Sequence, residues 1–352
     1  MRRAARVESL LQGLSIDHAA IKVAQKLLRL SSLVALRDFV SENPGLSTET
    51  ARRARETVLA MAEPWKQLDR RTIEPFSPAF REAFLKGDAG ALHRALSHLS
   101  EEWPALGSWL SSKGAIDWGT ILSPRLRELR QVLDRYHEQF YEPYLRPVAL
   151  AAGPRGPFWS RLSPEAADLF FTYCDLICFE SNDRIVSKMA IAPGESVLDL
   201  GSGSQLLLSQ LLGRIPVRAQ SLDSVERPFE EPGIRNNVGS FLGNEDLDGR
   251  FDAVLMAWVL HDWPDAQAIA ALKYAARHLA PRGRVLILEQ LRPENGLKPD
   301  STLDLLVHMH VGGQERTESH YRNLIEKAGL RIERIVENLG NRDLIEVRRR
   351  DP

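Results

Sequence analysis

The stretch Val197-Leu198-Asp199-Leu200-Gly201-Ser202-Gly203-Ser204 decides how the second half of this 352-residue chain is read. A short apolar run leads at once into a turn with two glycines, and a helix-like segment from Gln205 to Leu212 follows. That order predicts a buried strand, a tight turn and a helix start. Glycine suits the turn because a Cβ would block close approach of a bound cofactor, and the helix start offers free N–H groups. Taken alone, a Gly-x-Gly is a weak signal. Asp223 follows Gly201 by 22 residues, at the end of the next apolar run, where a carboxylate can take both hydroxyls of a ribose. An aspartate after a strand is also a common turn residue. The turn itself does not separate a nicotinamide cofactor from S-adenosylmethionine.

Working outward, Ser196 to Leu200, Val217 to Leu222, Phe251 to Ala257 and Arg284 to Glu289 are short apolar runs alternating with helical spacing. Asp265 to Leu279 carries Ala268, Ile269, Leu272, Ala275 and Ala276 on one face. This alternation predicts an α/β fold with a parallel, doubly wound sheet. Leu330 to Glu337 and Arg342 to Arg348 flank Leu339-Gly340-Asn341 and read as a terminal antiparallel hairpin. Before Pro193-Gly194 the pattern is almost all helical, as in Leu27, Leu30 and Val34 or Leu126, Leu129, Val132 and Leu133. Within it, Thr48 to Met61 and Arg70 to Phe76 fit a helix and the wing of a winged-helix unit. The length favours two domains, and we place them at 1–185, helical, and 186–352, α/β.

Composition narrows the partners. With 46 Lys and Arg against 47 Asp and Glu, no net field draws the molecule to nucleic acid or anionic lipid, so a small-molecule partner is expected. At 43% hydrophobic and 26% charged it reads as a folded, soluble chain. No apolar span of membrane length occurs and no signal-like run follows the basic start, which predicts a cytoplasmic protein without a membrane partner.

The segment Phe251-Asp252-Ala253-Val254-Leu255-Met256-Ala257-Trp258-Val259-Leu260-His261-Asp262-Trp263-Pro264-Asp265 resembles the small-molecule O-methyltransferases of the plant caffeate and bacterial polyketide-tailoring type. Gly312-Gly313-Gln314-Glu315-Arg316-Thr317-Glu318, with Tyr321, Leu324 and Ala328-Gly329-Leu330, is a second match, and Val285 to Glu289 with Pro293 a third. The resemblance covers about Pro193 to Arg348. It implies a Rossmann-like class I methyltransferase domain, S-adenosylmethionine as cofactor, and a helical N-terminal half that forms a homodimer and lids the site. It also implies His261 as general base, with Glu289 and Glu315 orienting its ring. A neutral imidazole near pH 7 suits that role. His261 as a cap of the following helix, and Glu315 as a surface ion pair with Arg316, stay open as plainer readings.

The same resemblance assigns the cofactor to Asp199, Gly201, Ser202, Gly203, Asp223, Ser240, Phe241, Ala257 and Trp258. It assigns acceptor contacts to Asp262, Trp263, His308 and His310. Phe171 and Cys174, in the apolar helical segment ahead of the sheet, fit the opposite wall of the pocket. Cys174 and Cys178 stack on one helix face and equally suit a core. His308 and His310 have a His-x-His spacing, but no Cys or carboxylate stands at ligand spacing, so no metal is expected. The chain departs from the family pattern at Gln205, where a third glycine is usual. It departs again at Ser240, where an aspartate would face the adenine, and at Ala257-Trp258, where plant members often carry a basic residue. Residues 114–160 have no clear counterpart. Two rivals remain: a winged-helix DNA-binding regulator using Arg52, Arg53, Arg55, Arg70 and Arg71, and a relative that binds the cofactor for decarboxylation, hydroxylation or rearrangement. Methyl transfer to nitrogen or carbon also stays open.

Overall fold

A computed structural model describes residues 4–5, 164–224, 231–243, 247–295, 304, 307–308 and 311–350. The expectations for the helical first half, the winged-helix reading, the 114–160 segment and His310 lie outside the described residues.

Seven strands form one sheet: β1 (Ser196–Leu200), β2 (Arg218–Asp223), β3 (Ile234–Val238), β4 (Phe251–Ala257), β5 (Leu279–Glu289), β6 (Leu330–Val336) and β7 (Asp343–Arg349). Their order is β3-β2-β1-β4-β5-β7-β6. The first five are parallel; β7 runs antiparallel to β5 and pairs with β6 as the expected terminal hairpin. Among the described residues four helices accompany them: α1 (Pro164–Lys188), α2 (Leu206–Leu212), α3 (Asp265–Arg277) and α4 (Glu318–Lys327).

The apolar runs became strands because both faces of the sheet are covered. Leu198 and Leu200 of β1, Val254 and Met256 of β4, and Val285 and Ile287 of β5 pack in one cluster with Leu272 of α3 and Leu324 and Ile325 of α4. The intervening Val197, Ala253, Leu255, Leu286 and Leu288 pack on the other face with Ile185 of α1, Met189 just after it, and Leu208 and Leu211 of α2. Each fully buried side chain of this size contributes about 1.5–3 kcal/mol, which explains why near-continuous hydrophobic runs specify the central strands.

Two expectations need correction. Strand β3, Ile-Arg-Asn-Asn-Val, was not foreseen, because as an edge strand it exposes Arg235 and Asn236 and so shows no clear apolar pattern. Strand β5 starts at Leu279 instead of Arg284, running through Pro281 and Gly283 with a register shift against β4. Accordingly α3 stops at Arg277, short of Leu279.

The chain winds from β1 to β2 and β3 in one direction, then returns to β4 and β5 in the other. In open α/β sheets a crevice opens outside the carboxyl ends of the strands where the order reverses. Here that point lies between β1 and β4.

Candidate active site

The loops at the carboxyl ends of β1, β2, β3, β4 and β5 bring together most of the residues singled out in the sequence. Asp199 is buried within β1, and Gly201, Ser202 and Gly203 turn immediately after it. Gly201 has φ +67°, and a Cβ there would lie 2.8 Å from Cγ2 of Val259, so glycine is required by both conformation and packing. Asp223 closes β2, and its Oδ2 accepts the Gly203 N–H at 3.0 Å, fixing the carboxylate beside the glycine loop. Ser240 Oγ accepts the Leu242 N–H after β3, and Phe241 meets Trp263 edge to face with centroids 6.0 Å apart. Helix α1 crosses this edge: the Phe171 ring lies against Gly203, and Asp175 accepts a hydrogen bond from the Ser204 hydroxyl. Cys174 and Cys178 share the same face of α1, half-buried and buried.

Gln205 shows how this chain accommodates the loss of the third glycine. It holds φ +63°, a left-handed conformation that glycine adopts freely and that costs other residues about 1–2 kcal/mol. Its buried side chain compensates by donating through Nε2 to Ser221 Oγ (2.9 Å) and Asn236 Oδ1 (2.5 Å) on β2 and β3. The side chain is thus tied to the sheet.

Beyond β4, a 3-10 turn spans Leu260–Asp262. His261 is 5% exposed, with Nδ1 2.6 Å from Glu315 Oε1 and 3.6 Å from Glu289 Oε2, and Nε2 3.4 Å from Asp262 Oδ1. Glu289, at the end of β5, also accepts the N–H groups of Val259 (3.0 Å), Leu260 (2.8 Å) and His261 (3.4 Å) through Oε1. One carboxylate therefore caps the start of the turn and faces the ring it carries. Gly313 makes this possible from the other side. A Cβ there would fall 1.9 Å from the His261 carbonyl oxygen, which accepts the Gln314 N–H at 2.8 Å.

The electrostatics follow from this enclosure. Burial alone would lower the His261 pKa, but the charges of Glu289, Asp262 and Glu315 outweigh it and push the value up to about 10. Burial raises Glu289 to about 7, with Glu315 and Asp262 adding to the rise against the pull of His261. Burial likewise lifts Asp262 to about 6, opposed by His261. The sequence reading expects a neutral imidazole near pH 7, whereas the surrounding carboxylates favour the protonated ring.

Arg316 was missed as a functional residue. It is 1% exposed and pairs with Asp265, not with Glu315. Nη1 donates to the Leu260 carbonyl (2.7 Å), Nη2 to that of Trp263 (2.6 Å), and Nε to Asp265 Oδ1 (3.1 Å). The guanidinium clamps both ends of the turn that carries His261. Asp265 also takes a hydrogen bond from His320; partial burial would raise its pKa, but the His320 and Arg316 bonds hold the carboxyl below its usual range. His308 is half-buried, and its carbonyl accepts the Gly312 N–H. Among the described residues no group of three or more His, Cys, Asp or Glu is placed to hold a metal ion.

Residues 183–331 match the family model of the O-methyltransferase domain. The mitomycin biosynthesis 6-O-methyltransferase of Streptomyces lavendulae is 29% identical over 206 residues, covering 54% of this chain and 58% of that protein. A caffeic acid 3-O-methyltransferase of Catharanthus roseus is 31% identical over 153 residues, 39% of this chain and 40% of its own length. The chain thus spans about half the length of the curated relatives it matches. Among solved structures, an O-methyltransferase from neocarzinostatin biosynthesis, in complex with S-adenosylmethionine and 2-hydroxy-5-methyl naphthoic acid, aligns with a TM-score of 0.56 at 21% identity. The alignment covers 93% of this chain and 96% of that one. The mitomycin 7-O-methyltransferase structure aligns with a TM-score of 0.54 at 23% identity over 85% and 95% of the two chains. These likenesses establish a shared fold.

Proposed function

We propose that this chain, whose residues 183–331 match the family model of the O-methyltransferase domain, transfers a methyl group from S-adenosylmethionine to a hydroxyl of a small aromatic or polyketide-like molecule. The observation that carries the reading is His261 at the carboxyl edge of the sheet, locked by Glu315 at 2.6 Å and flanked by Asp262 and Glu289.

The residues present fit the cofactor. The Ser202 hydroxyl is shielded from water and bonded to no protein group, an arrangement expected of a polar atom awaiting a ligand. It sits in the glycine loop after β1, where the Asp223 carboxylate accepts the Gly203 N–H. Asp223 would hold the ribose, Ser202 and Gly203 the methionyl portion, and Ser240 and Phe241 the adenine. When bound, S-adenosylmethionine supplies an electrophilic methyl on a sulfonium centre.

The remaining steps belong to this chain's own side chains. Glu315 accepts from Nδ1 and so leaves Nε2 as the atom that exchanges a proton with an acceptor hydroxyl. Asp262, 3.4 Å from Nε2, shares that position and steadies the hydroxyl. Trp263, two residues beyond His261, and Phe241 meet edge to face and would form an aromatic wall of the pocket. Because the carboxylates favour the imidazolium, proton removal from the acceptor is driven by stabilisation of the ring that receives it, once that ring is neutral. Residues 1–185 are proposed as a domain that pairs two copies of the chain, residues 186–352 as the cofactor-binding domain, and the protein to work in the cytoplasm.

The test is calorimetric titration with S-adenosylmethionine, S-adenosylhomocysteine and NAD, followed by a screen of phenolic acceptors read by product mass. Micromolar binding of both adenosyl compounds and a product one methyl heavier support the proposal. His261→Ala should slow that transfer at least tenfold with cofactor affinity nearly unchanged. Binding of NAD alone, or a product of unchanged methyl count, defeats it.

A further inference from the structure

Arg342 lies in the turn between β6 and β7, at the same edge of the sheet as the site, and is only 4% exposed. All of its contacts among the described residues are to neutral groups. Nη2 donates to Asn182 Oδ1 on α1, Nε reaches Asn341 Oδ1 at 3.4 Å, and the guanidinium carbon sits 5.0 Å from the centre of the Trp258 ring. Among the described residues no carboxylate pairs with it, and Nη1, with two N–H groups, carries no hydrogen bond. A guanidinium is always charged, and leaving one buried without a counter-ion is costly. The neighbouring acids are engaged elsewhere: Asp343 accepts the Asn338 and Leu291 N–H groups, and Asp175 accepts the Ser204 hydroxyl.

Trp258 adds a second, independent observation. Its indole N–H is buried and unpartnered, and its backbone is held at φ +53°, a conformation rarely tolerated by a bulky residue. The ring lies nearly parallel to that of His261, with centroids 6.4 Å apart.

From this we infer that Arg342 and the Trp258 indole N–H form a carboxylate-binding subsite of the acceptor pocket, so that the preferred acceptor is an aromatic acid. The subsite rests on the methyltransferase reading for its purpose, though not for its chemistry. A guanidinium fork with Nη1 unspent, beside an indole donor, matches the two oxygens of a planar carboxylate. The α-carboxylate of the cofactor is the other source of the same group, and the experiment separates the two.

Full-length wild type, Arg342→Gln and Arg342→Lys are titrated with S-adenosylhomocysteine and with 5′-methylthioadenosine, which lacks the amino-acid portion. At saturating S-adenosylhomocysteine they are then titrated with benzoate and with neutral benzamide. The expected result is an Arg342→Gln loss of at least tenfold in benzoate affinity, with benzamide and S-adenosylhomocysteine unchanged and an intermediate effect in Arg342→Lys. A tenfold loss confined to S-adenosylhomocysteine, sparing 5′-methylthioadenosine, overturns the acceptor assignment and gives the carboxylate site to the cofactor instead. Unchanged binding of every probe in a variant with wild-type melting temperature overturns the inference. If the variants do not fold, wild type decides alone: equal affinity for benzoate and benzamide, with equal affinity for the two nucleosides, also overturns it. Benzoate binding without any binding of either nucleoside would retain the subsite and sink the methyltransferase reading instead.

Discussion

Replacing Glu315 with glutamine should shift the pH dependence of methyl transfer toward neutrality by about one unit. In the wild type, Glu315 Oε1 lies 2.6 Å from His261 Nδ1, and Glu289, Asp262 and Glu315 together raise the ring to about 10. Glutamine keeps the shape and an oxygen that can accept from Nδ1, so the ring orientation is preserved while one negative charge is lost. Hydrogen bonds to charged groups contribute about 1.5–3 kcal/mol against about 1 kcal/mol for neutral pairs. The imidazolium therefore loses about 1–2 kcal/mol of support, and about 1.4 kcal/mol corresponds to one pKa unit. The assay is single-turnover product formation at saturating cofactor and acceptor from pH 6 to 10, compared between wild type and Glu315→Gln. Wild type should accelerate well above neutral pH as His261 sheds its proton, and the variant should reach its plateau at lower pH. Because the acceptor hydroxyl is the same in both, its own ionisation cancels from the comparison. An inflection that stays in place, or moves to higher pH, would refute the argument that the carboxylate cage sets the proton affinity of His261.

Other consequences can be checked on the folded protein without an acceptor. His261 has a folded-state pKa of about 10 against an ordinary 6.5, so its contribution to stability is full below pH 6.5 and is lost as pH rises through 10. The urea midpoint of wild type should fall between pH 6.5 and 9.5, and a flat or rising midpoint would contradict the assignment. Gln205→Gly should be less destabilising than Gln205→Ala by about 1 kcal/mol in urea unfolding, because both lose the bonds to Ser221 and Asn236 but only glycine relieves the φ of +63°; the reverse order would show that strain is absent there. Gly313→Ala places a methyl 1.9 Å from the His261 carbonyl oxygen and should cost about 1–3 kcal/mol of stability while displacing the His261 turn. Wild-type stability and activity in that variant would mean the contact is not made.

Much of this protein was legible before any coordinates. The apolar runs at Ser196 to Leu200 and Phe251 to Ala257 coincide with β1 and β4, because a strand buried on both faces must be hydrophobic along its whole length. The glycine turn and Asp223 were visible for a related reason: each follows a strand directly, so local order fixes its place at the carboxyl edge, whereas the His-Asp-Trp segment was found through its resemblance to the O-methyltransferases. Strand β3 was hidden because Arg235, Asn236 and Asn237 satisfy an edge, where polarity is allowed.

What only the tertiary structure decided are the relations between residues far apart in the chain. The sequence by itself supplied His261, Glu289 and Glu315, and the fold determined that their charges converge on one imidazole and hold its proton. Arg316 reads as an ordinary surface cation until β5 and the segment before α4 bring it beneath the His261 turn, where three acceptors take its N–H groups. Arg342 gains its meaning only when the β6–β7 turn folds back beside Trp258 and α1. Hydrophobic periodicity is a local property, fixed by which face of an element meets the core. Proton affinity and buried charge depend on every group within a few ångströms, and those neighbours are chosen by the topology of the sheet.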